Sequence, residues 1–140
     1  MVLTAFVAAL LLLSVNPATA AAATVNLHGP HVGASSQTFN AESDAGGLTD
    51  PVVWHFVLNG LDKDTPPAEL TVTFASAGTR VVTARVVGQG QTQHFYVGTP
   101  GHDILLGASA VTSSSAWNNL VLSHVVRRVV EEPRDPEEPK

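Results

Sequence analysis

Hydrophobic and polar residues alternate with a period of two through much of residues 24–130, which predicts β-strands. The clearest segment is residues 70–74, where Leu70, Val72 and Phe74 point to one side and two threonines point to the other. Clusters of Gly, Pro, Asn and Asp separate such segments, as expected for turns between strands. No stretch of this region repeats its hydrophobic residues with the helical period of 3.6.

Seven segments follow this pattern or are densely apolar between turn residues. They lie at residues 24–27, 52–58, 70–74, 81–87, 91–97, 103–111 and 120–126. Strands spaced about 8–12 residues apart predict an all-β fold, an antiparallel, immunoglobulin-like β-sandwich of about seven strands, with a small β-barrel as the alternative. The third to fifth segments are expected to form a meander. The expected centre of the core is Trp54, Phe56, Leu70, Val72 and Phe74.

The two ends of the chain differ in composition from the region between them. Residues 1–23 contain 18 hydrophobic residues and no charged side chain, with an apolar run that ends before a small-residue pattern. Because this run is shorter than the roughly 20 residues of a membrane-spanning helix, it predicts an export signal peptide, with an uncleaved membrane helix as the alternative. Residues 131–140 are acidic and rich in proline, which predicts a disordered tail. We therefore expect one folded domain, residues 24–130, that is secreted and extracellular or associated with the cell wall.

Composition and charge narrow the functions open to this domain. The chain has no cysteine, which excludes thiol nucleophiles, cysteine-ligated zinc and iron–sulfur clusters. Its formal net charge is −5, and residues 24–130 contain only five basic side chains. Because phosphate and anionic lipid attract clustered Lys and Arg, we expect the mature chain to bind neither nucleic acid nor membranes.

Six histidines suggest a chemical site, and one pair of them has a spacing seen in metal ligands. His28 and His31 form an HxxH pair whose Gly-Pro centre prevents a helix, so a metal ion there would need a third ligand. Asp44, Asp50 or another histidine could supply it. His28 and His31 are therefore the metal candidates, although no bound cofactor is expected.

The other histidines are expected to have structural roles. His55 alternates with Trp54 and Phe56, so we expect it on the outer surface of a sheet, where it would be hydrogen-bonded. His124 lies two residues after Leu122, so strict alternation predicts that it lies in the core or at its rim.

Loops at the ends of a sandwich commonly carry ligand contacts. Residues 28–51 form a long irregular connection and residues 113–118 form a polar loop. Trp117 lies in the polar loop and is expected to be exposed, and a tryptophan ring can stack on a sugar or anchor a protein contact. Trp117 and Asn118 are therefore the candidate ligand-contact residues.

Four sequence motifs together resemble a known kind of surface protein. They are TVNLHGPHVG at residues 24–33, WHFVLN at 54–59, LTVTF at 70–74 and NLVLSHV at 119–125. In this order they are similar to a β-sandwich module of secreted, often wall-attached proteins of actinobacteria. The resemblance covers most of residues 24–126 and implies a sandwich fold and an extracellular location. It carries no catalytic motif.

The sequence thus predicts a secreted, non-catalytic module that adheres to or interacts with an extracellular protein or a glycan. One alternative is a secreted metal-dependent enzyme or metal-binding protein that uses His28 and His31. Another is a structural spacer of a cell-wall protein. An enzyme is not expected, because the chain lacks the GxSxG motif that exposes a nucleophilic serine.

Overall fold

In a computed structural model, which describes residues 21–114 and 117–128, the chain forms eight β-strands. They are β1 (Ala23–Asn26), β2 (Val52–Asn59), β3 (Glu69–Phe74), β4 (Gly78–Thr83), β5 (Arg85–Val86), β6 (Gln93–Thr99), β7 (Leu105–Thr112) and β8 (Asn119–Arg127). A short 3-10 turn, Gly29–His31, follows β1. The predicted signal segment up to residue 20 and the predicted tail, residues 131–140, lie outside the described residues.

The strands form two four-stranded antiparallel sheets that enclose a common core. Sheet I has the order β1-β7-β3-β4, and sheet II has the order β5-β6-β2-β8. The all-β sandwich predicted from the sequence is confirmed, with eight strands in place of about seven. The barrel alternative is wrong, because the two sheets in the described part of the chain do not close on each other.

The core consists of the inward-facing residues of both sheets. All five residues predicted as its centre are buried: Trp54, Phe56, Leu70, Val72 and Phe74. The indole Nε1–H of Trp54 donates a hydrogen bond to Oγ1 of Thr99 at 3.2 Å, so the polar group of this buried side chain is satisfied. Because the chain has no cysteine, this apolar burial and not a disulfide stabilises the sandwich.

The segment predicted as one strand at residues 81–87 is divided between the two sheets. β4 ends at Thr83 beside β3, whereas β5 pairs with β6 in sheet II. Ala84 lies between them at the crossing, where it is buried and its N–H donates to the carbonyl of Ala68 at 2.9 Å. The predicted meander is therefore wrong. The alternation continues through the crossing, so the pattern gave no signal that the chain changes sheets.

A bulge between β2 and β8 determines where one histidine points. His55 lies opposite His124, but the next residue, Phe56, lies opposite Leu122, so Ser123 is the extra residue. Leu122 faces the core, and the bulge turns His124 to the outer face of sheet II, which is crossed by residues 36–50, here called the strap. His124 is buried, but under the strap on the outer face, so the prediction that it lies in the core or at its rim on the face of Leu122 is wrong, because a bulge breaks strict alternation.

The strap, residues 36–50, crosses the outer face of sheet II. Ala45 of the strap packs on Val53 in a second, smaller apolar cluster on that face. The guanidinium of Arg127 donates to carbonyls near the start of the strap, and that of Arg128 donates to carbonyls near its end. The long irregular connection predicted from the sequence is thus a cover for one sheet face.

Truncation of the core should show how strongly the sandwich depends on packing. Phe56→Ala should lower the free energy of unfolding by about 3–5 kcal/mol, because it leaves a cavity between the sheets. The matched control is Thr71→Ala on the exposed face of β3. This variant should change the free energy of unfolding by about 0.5 kcal/mol or less. Urea unfolding followed by tryptophan fluorescence measures both, and equal effects would contradict this description of the core.

Candidate functional site

Three histidines lie side by side on the outer face of sheet II, next to the strap. His94, His55 and His124 come from the neighbouring strands β6, β2 and β8. His55 lies opposite Tyr96 on one side and His124 on the other, and His94 is two residues from Tyr96 along β6. Alternation therefore places His94 on the same face as His55, and the bulge adds His124. We call these three residues the histidine cluster.

His55 is the centre of the histidine cluster. Its Nε2 lies 2.9 Å from Nδ1 of His94, and its Nδ1 lies 3.3 Å from both ring nitrogens of His124. The rings of His55 and His124 are steeply inclined, at 74°, with 4.5 Å between their centroids. His55 is 5% exposed and His124 is 2% exposed. The imidazole nitrogens thus face one another with little access to bulk water.

The strap brings two acidic residues to the histidine cluster. Oε2 of Glu42 lies 3.1 Å from Nδ1 of His124, and Nε2 of His124 donates to the backbone carbonyl of Asp44 at 3.0 Å. The carboxylate of Asp44 is fixed in turn by the N–H of Gly46 at 3.0 Å and the hydroxyl of Tyr96 at 2.8 Å. These two hydrogen bonds, the first of them foremost, lower the pKa of Asp44 below its usual value.

Tyr96 connects the histidine cluster to the strap. Its ring stacks on that of His55 with an interplanar angle of 6° and a centroid distance of 4.4 Å. The guanidinium of Arg85 lies 5.0 Å from the Tyr96 centroid and also donates to the carbonyl of Gly46. Burial, followed by the hydrogen bond to Asp44, raises the pKa of Tyr96 to about 12, so the phenol keeps the proton that it donates.

His55 is uncharged near neutral pH. Burial is the main cause that lowers the pKa of His55 to about 4, and the positive charge that His124 and His94 acquire on protonation lowers it further. A neutral imidazole has a lone pair on one ring nitrogen, which can accept a proton or bind a metal ion. The arrangement can therefore relay protons between imidazoles or coordinate a cation.

One set of side chains in the described residues has the spacing of metal ligands. Asp44, His55 and His124 each offer a ligand atom, and the three atoms lie within 4.8 Å of one another. Neither residue of the predicted pair belongs to this set. Sequence reasoning did not find it, because His124 was assigned to the wrong face and Asp44 was considered only as a partner for the HxxH pair.

The predicted metal pair has a different environment. The rings of His28 and His31 meet edge to face, with centroids 5.0 Å apart. Nδ1 of His31 accepts the backbone N–H of Leu122 at 3.1 Å, and its ring contacts Phe39. Burial is the main cause that lowers the pKa of His31. His31 thus links the segment after β1 to β8, and this hydrogen bond occupies one of its two possible ligand atoms.

The predicted ligand-contact residues lie at the end of the sandwich where β2 finishes and β8 begins. Trp117 is 93% exposed, and its backbone carbonyl lies against Gly60, where a Cβ would overlap it. Asn118 is half-buried, and among the described residues its Oδ1 is a buried side-chain atom without a hydrogen-bond partner. We call Trp117 and Asn118 the loop end. It exposes the aromatic face of Trp117, whereas Oδ1 of Asn118 is turned away from solvent.

Comparison with known proteins provides no relative from which a function could be transferred. The chain matches no protein-family model, no curated protein and no solved structure. The resemblance to secreted actinobacterial surface modules therefore stays a prediction. Among the described residues, no helix is both long and apolar enough to cross a membrane.

The buried histidine should make the metal-free chain sensitive to acid. The pKa of His55 is about 4 in the folded chain and 6.5 in an unfolded chain, so the unfolded chain binds more protons between these values. Above pH 6.5 His55 is neutral in both states and does not lower the stability. As the pH drops from 6.5 to 4, the free energy of unfolding should fall by up to about 3 kcal/mol. An NMR titration of a chelator-treated sample tests the cause, because an ordinary pKa near 6.5 for His55 would contradict it.

Two neighbouring glycines test how the strap is held on the sheet. Gly46 has φ +57°, and a Cβ there would overlap the ring of Tyr96, whereas Gly47 has φ +82° and open space around it. Both alanine variants incur the cost of a left-handed backbone, about 1–2 kcal/mol, but only Gly46→Ala also displaces the tyrosine. We expect Gly46→Ala to unfold at clearly lower urea than Gly47→Ala. Similar midpoints would show that Tyr96 does not hold the strap.

Proposed function

We propose that the chain is a non-catalytic β-sandwich module of the extracellular space that binds a partner through the loop end. The observation that carries this proposal is Trp117, whose ring is 93% exposed at one end of the sandwich. Exposing a tryptophan ring to water is unfavourable, and such residues are enriched at the centres of binding surfaces. The signal-like composition of residues 1–23 supports the extracellular location.

The chemistry around Trp117 favours a glycan as the partner. An indole face packs on the apolar face of a sugar ring, while amide groups donate to and accept from its hydroxyls. Asn118 follows Trp117 directly, and Asn119 and Asn59 are paired at the adjoining ends of β8 and β2. Asn119 is exposed two residues after Trp117, and its amide supplies a neutral donor and acceptor, which suits an uncharged sugar better than an acidic polymer.

A binding comparison of three chains tests this function. Wild type, Trp117→Ala and Val81→Ala would be applied to arrays of glycans and of extracellular matrix proteins. Val81 is the control because it is also apolar and 60% exposed, but lies on the outer face of sheet I. We expect wild type and the control to bind glycans alike and Trp117→Ala to bind roughly 30-fold more weakly, as for a central aromatic contact.

The other outcomes of this comparison contradict the proposal in different ways. Retention of glycan binding by Trp117→Ala would place the contact elsewhere. Binding to proteins alone would replace the glycan with a protein partner. Wild type that binds nothing on either array would favour the structural spacer.

A further inference from the structure

Beyond partner recognition at the loop end, the outer face of sheet II brings imidazole and carboxylate groups within metal-ligand distance of one another. We propose that Asp44, His55 and His124 bind a divalent transition-metal ion of the zinc or copper type. Glu42 is within reach as a further donor, and His94 is a positioning residue. The proposal rests on the mutual distances, the burial and the hydrogen bonds of these side chains.

The distances are those of atoms that can share one ion. Zinc binds imidazole nitrogen at about 2.0–2.1 Å, so two such ligands of a tetrahedral ion lie about 3.4 Å apart. Nδ1 of His55 lies 3.3 Å from each ring nitrogen of His124. The nearest carboxylate oxygen of Asp44 completes a triangle whose sides are all within 4.8 Å. Binding requires side-chain rotations that bring these atoms to bonding distance of one ion.

Each histidine of the proposed site also has the partner that orients a metal ligand. A metal-bound imidazole usually places its second ring nitrogen against a backbone carbonyl, a carboxylate or another acceptor. Nε2 of His55 lies 2.9 Å from Nδ1 of His94, and Nε2 of His124 donates to the carbonyl of Asp44 at 3.0 Å. These contacts direct Nδ1 of both rings toward the ion. Nδ1 of His124 also lies 3.1 Å from Oε2 of Glu42 and 3.2 Å from the hydroxyl of Ser123, which the ion would displace.

The donor set selects the class of metal. Two imidazoles and a carboxylate suit zinc and copper(II), whereas calcium and magnesium prefer sites built from oxygen alone. Cysteine is absent from the chain, so metals that require thiolates are not favoured. The histidines are nearly buried, while Asp44 and Glu42 are exposed at the strap. The ion would therefore enter from the strap side and meet the carboxylates first.

Metal titration of the full chain, produced without a histidine tag and stripped with a chelator, tests the site. Calorimetry with zinc chloride should show one ion per chain, and saturation should raise the melting temperature. Asp44→Asn, His55→Phe and His124→Gln should each weaken zinc binding by at least 100-fold. The phenylalanine keeps the stack on Tyr96, and circular dichroism confirms that each variant is folded. Parallel titrations with copper(II) rank the two metals.

A separate measurement must distinguish whether His94 orients His55 or binds the ion directly. His94→Gln should weaken zinc binding by about 10–100-fold, keep a stoichiometry of one and leave the visible spectrum of the cobalt-loaded chain unchanged. Loss of a direct ligand changes that spectrum. A changed spectrum in His94→Gln would make His94 a ligand and would overturn its role as a positioning residue.

The matched control is the double variant His28→Gln/His31→Gln, which removes the HxxH pair and changes none of the proposed ligands, although it also removes the ring contact of His31 with Phe39 near the start of the strap. It should bind zinc like wild type. The proposal is overturned if wild type shows no saturable zinc binding, if only the double variant loses it, or if Asp44→Asn retains wild-type affinity. Asp44 is exposed, so Asp44→Asn is expected to fold even where a histidine variant does not, and the test then remains decisive.

Discussion

The pairing of β2 with β8 determines how the rest of sheet II is arranged. Ser123 is the extra residue of a bulge, and after it the faces of β8 are exchanged. Leu122 before the bulge faces the core and His124 after it faces the strap, opposite His55. Without the bulge, an imidazole would be forced among the apolar side chains between the sheets, where an unpaired polar ring is costly. The extra residue Ser123 thus keeps the core apolar and places His124 beside His55 in the histidine cluster.

The strap depends on this face of sheet II for its own order. It has few apolar residues to bury, so polar donors of the sheet hold it: Arg127 and Arg128 at its two ends, and Tyr96 and His124 in its middle. The hydrogen bonds from Arg127 are partly buried, and bonds from a charged donor are worth about 1.5–3 kcal/mol each, whereas the bonds from Arg128 are exposed and contribute less. Their number compensates for the small apolar cluster around Ala45. The position of the strap along the sheet is consequently specific, because a shift by one residue would misplace all of these acceptors, the carbonyls and the Asp44 carboxylate, together.

The sequence could predict those parts of the fold that depend on local alternation, and it failed where distant pairing intervened. Alternation along the strand alone predicts that Trp54, Phe56 and the inward residues of β3 face the core. It also predicts that His55 faces outward. The face of His124 does not, since the bulge that turns it is a property of two strands paired across 69 positions of the chain. The division near Ala84 was missed for the same reason: both halves alternate correctly, but their partners lie in different sheets.

The proposed ion would cross-link this domain, which cannot form a disulfide. Small secreted domains commonly use disulfides for this purpose, and this chain has no cysteine. Asp44 lies in the strap and His124 in the last strand, 80 residues apart, so an ion between them closes a long loop. A covalent link of that span removes about 4–5 kcal/mol of unfolded-chain entropy in the simplest treatment. A metal link differs in that its stabilisation rises with free metal concentration. The strap would therefore be held most firmly where the metal is abundant, and with zinc, which has no redox chemistry, this stabilisation would not depend on the redox state of the surroundings.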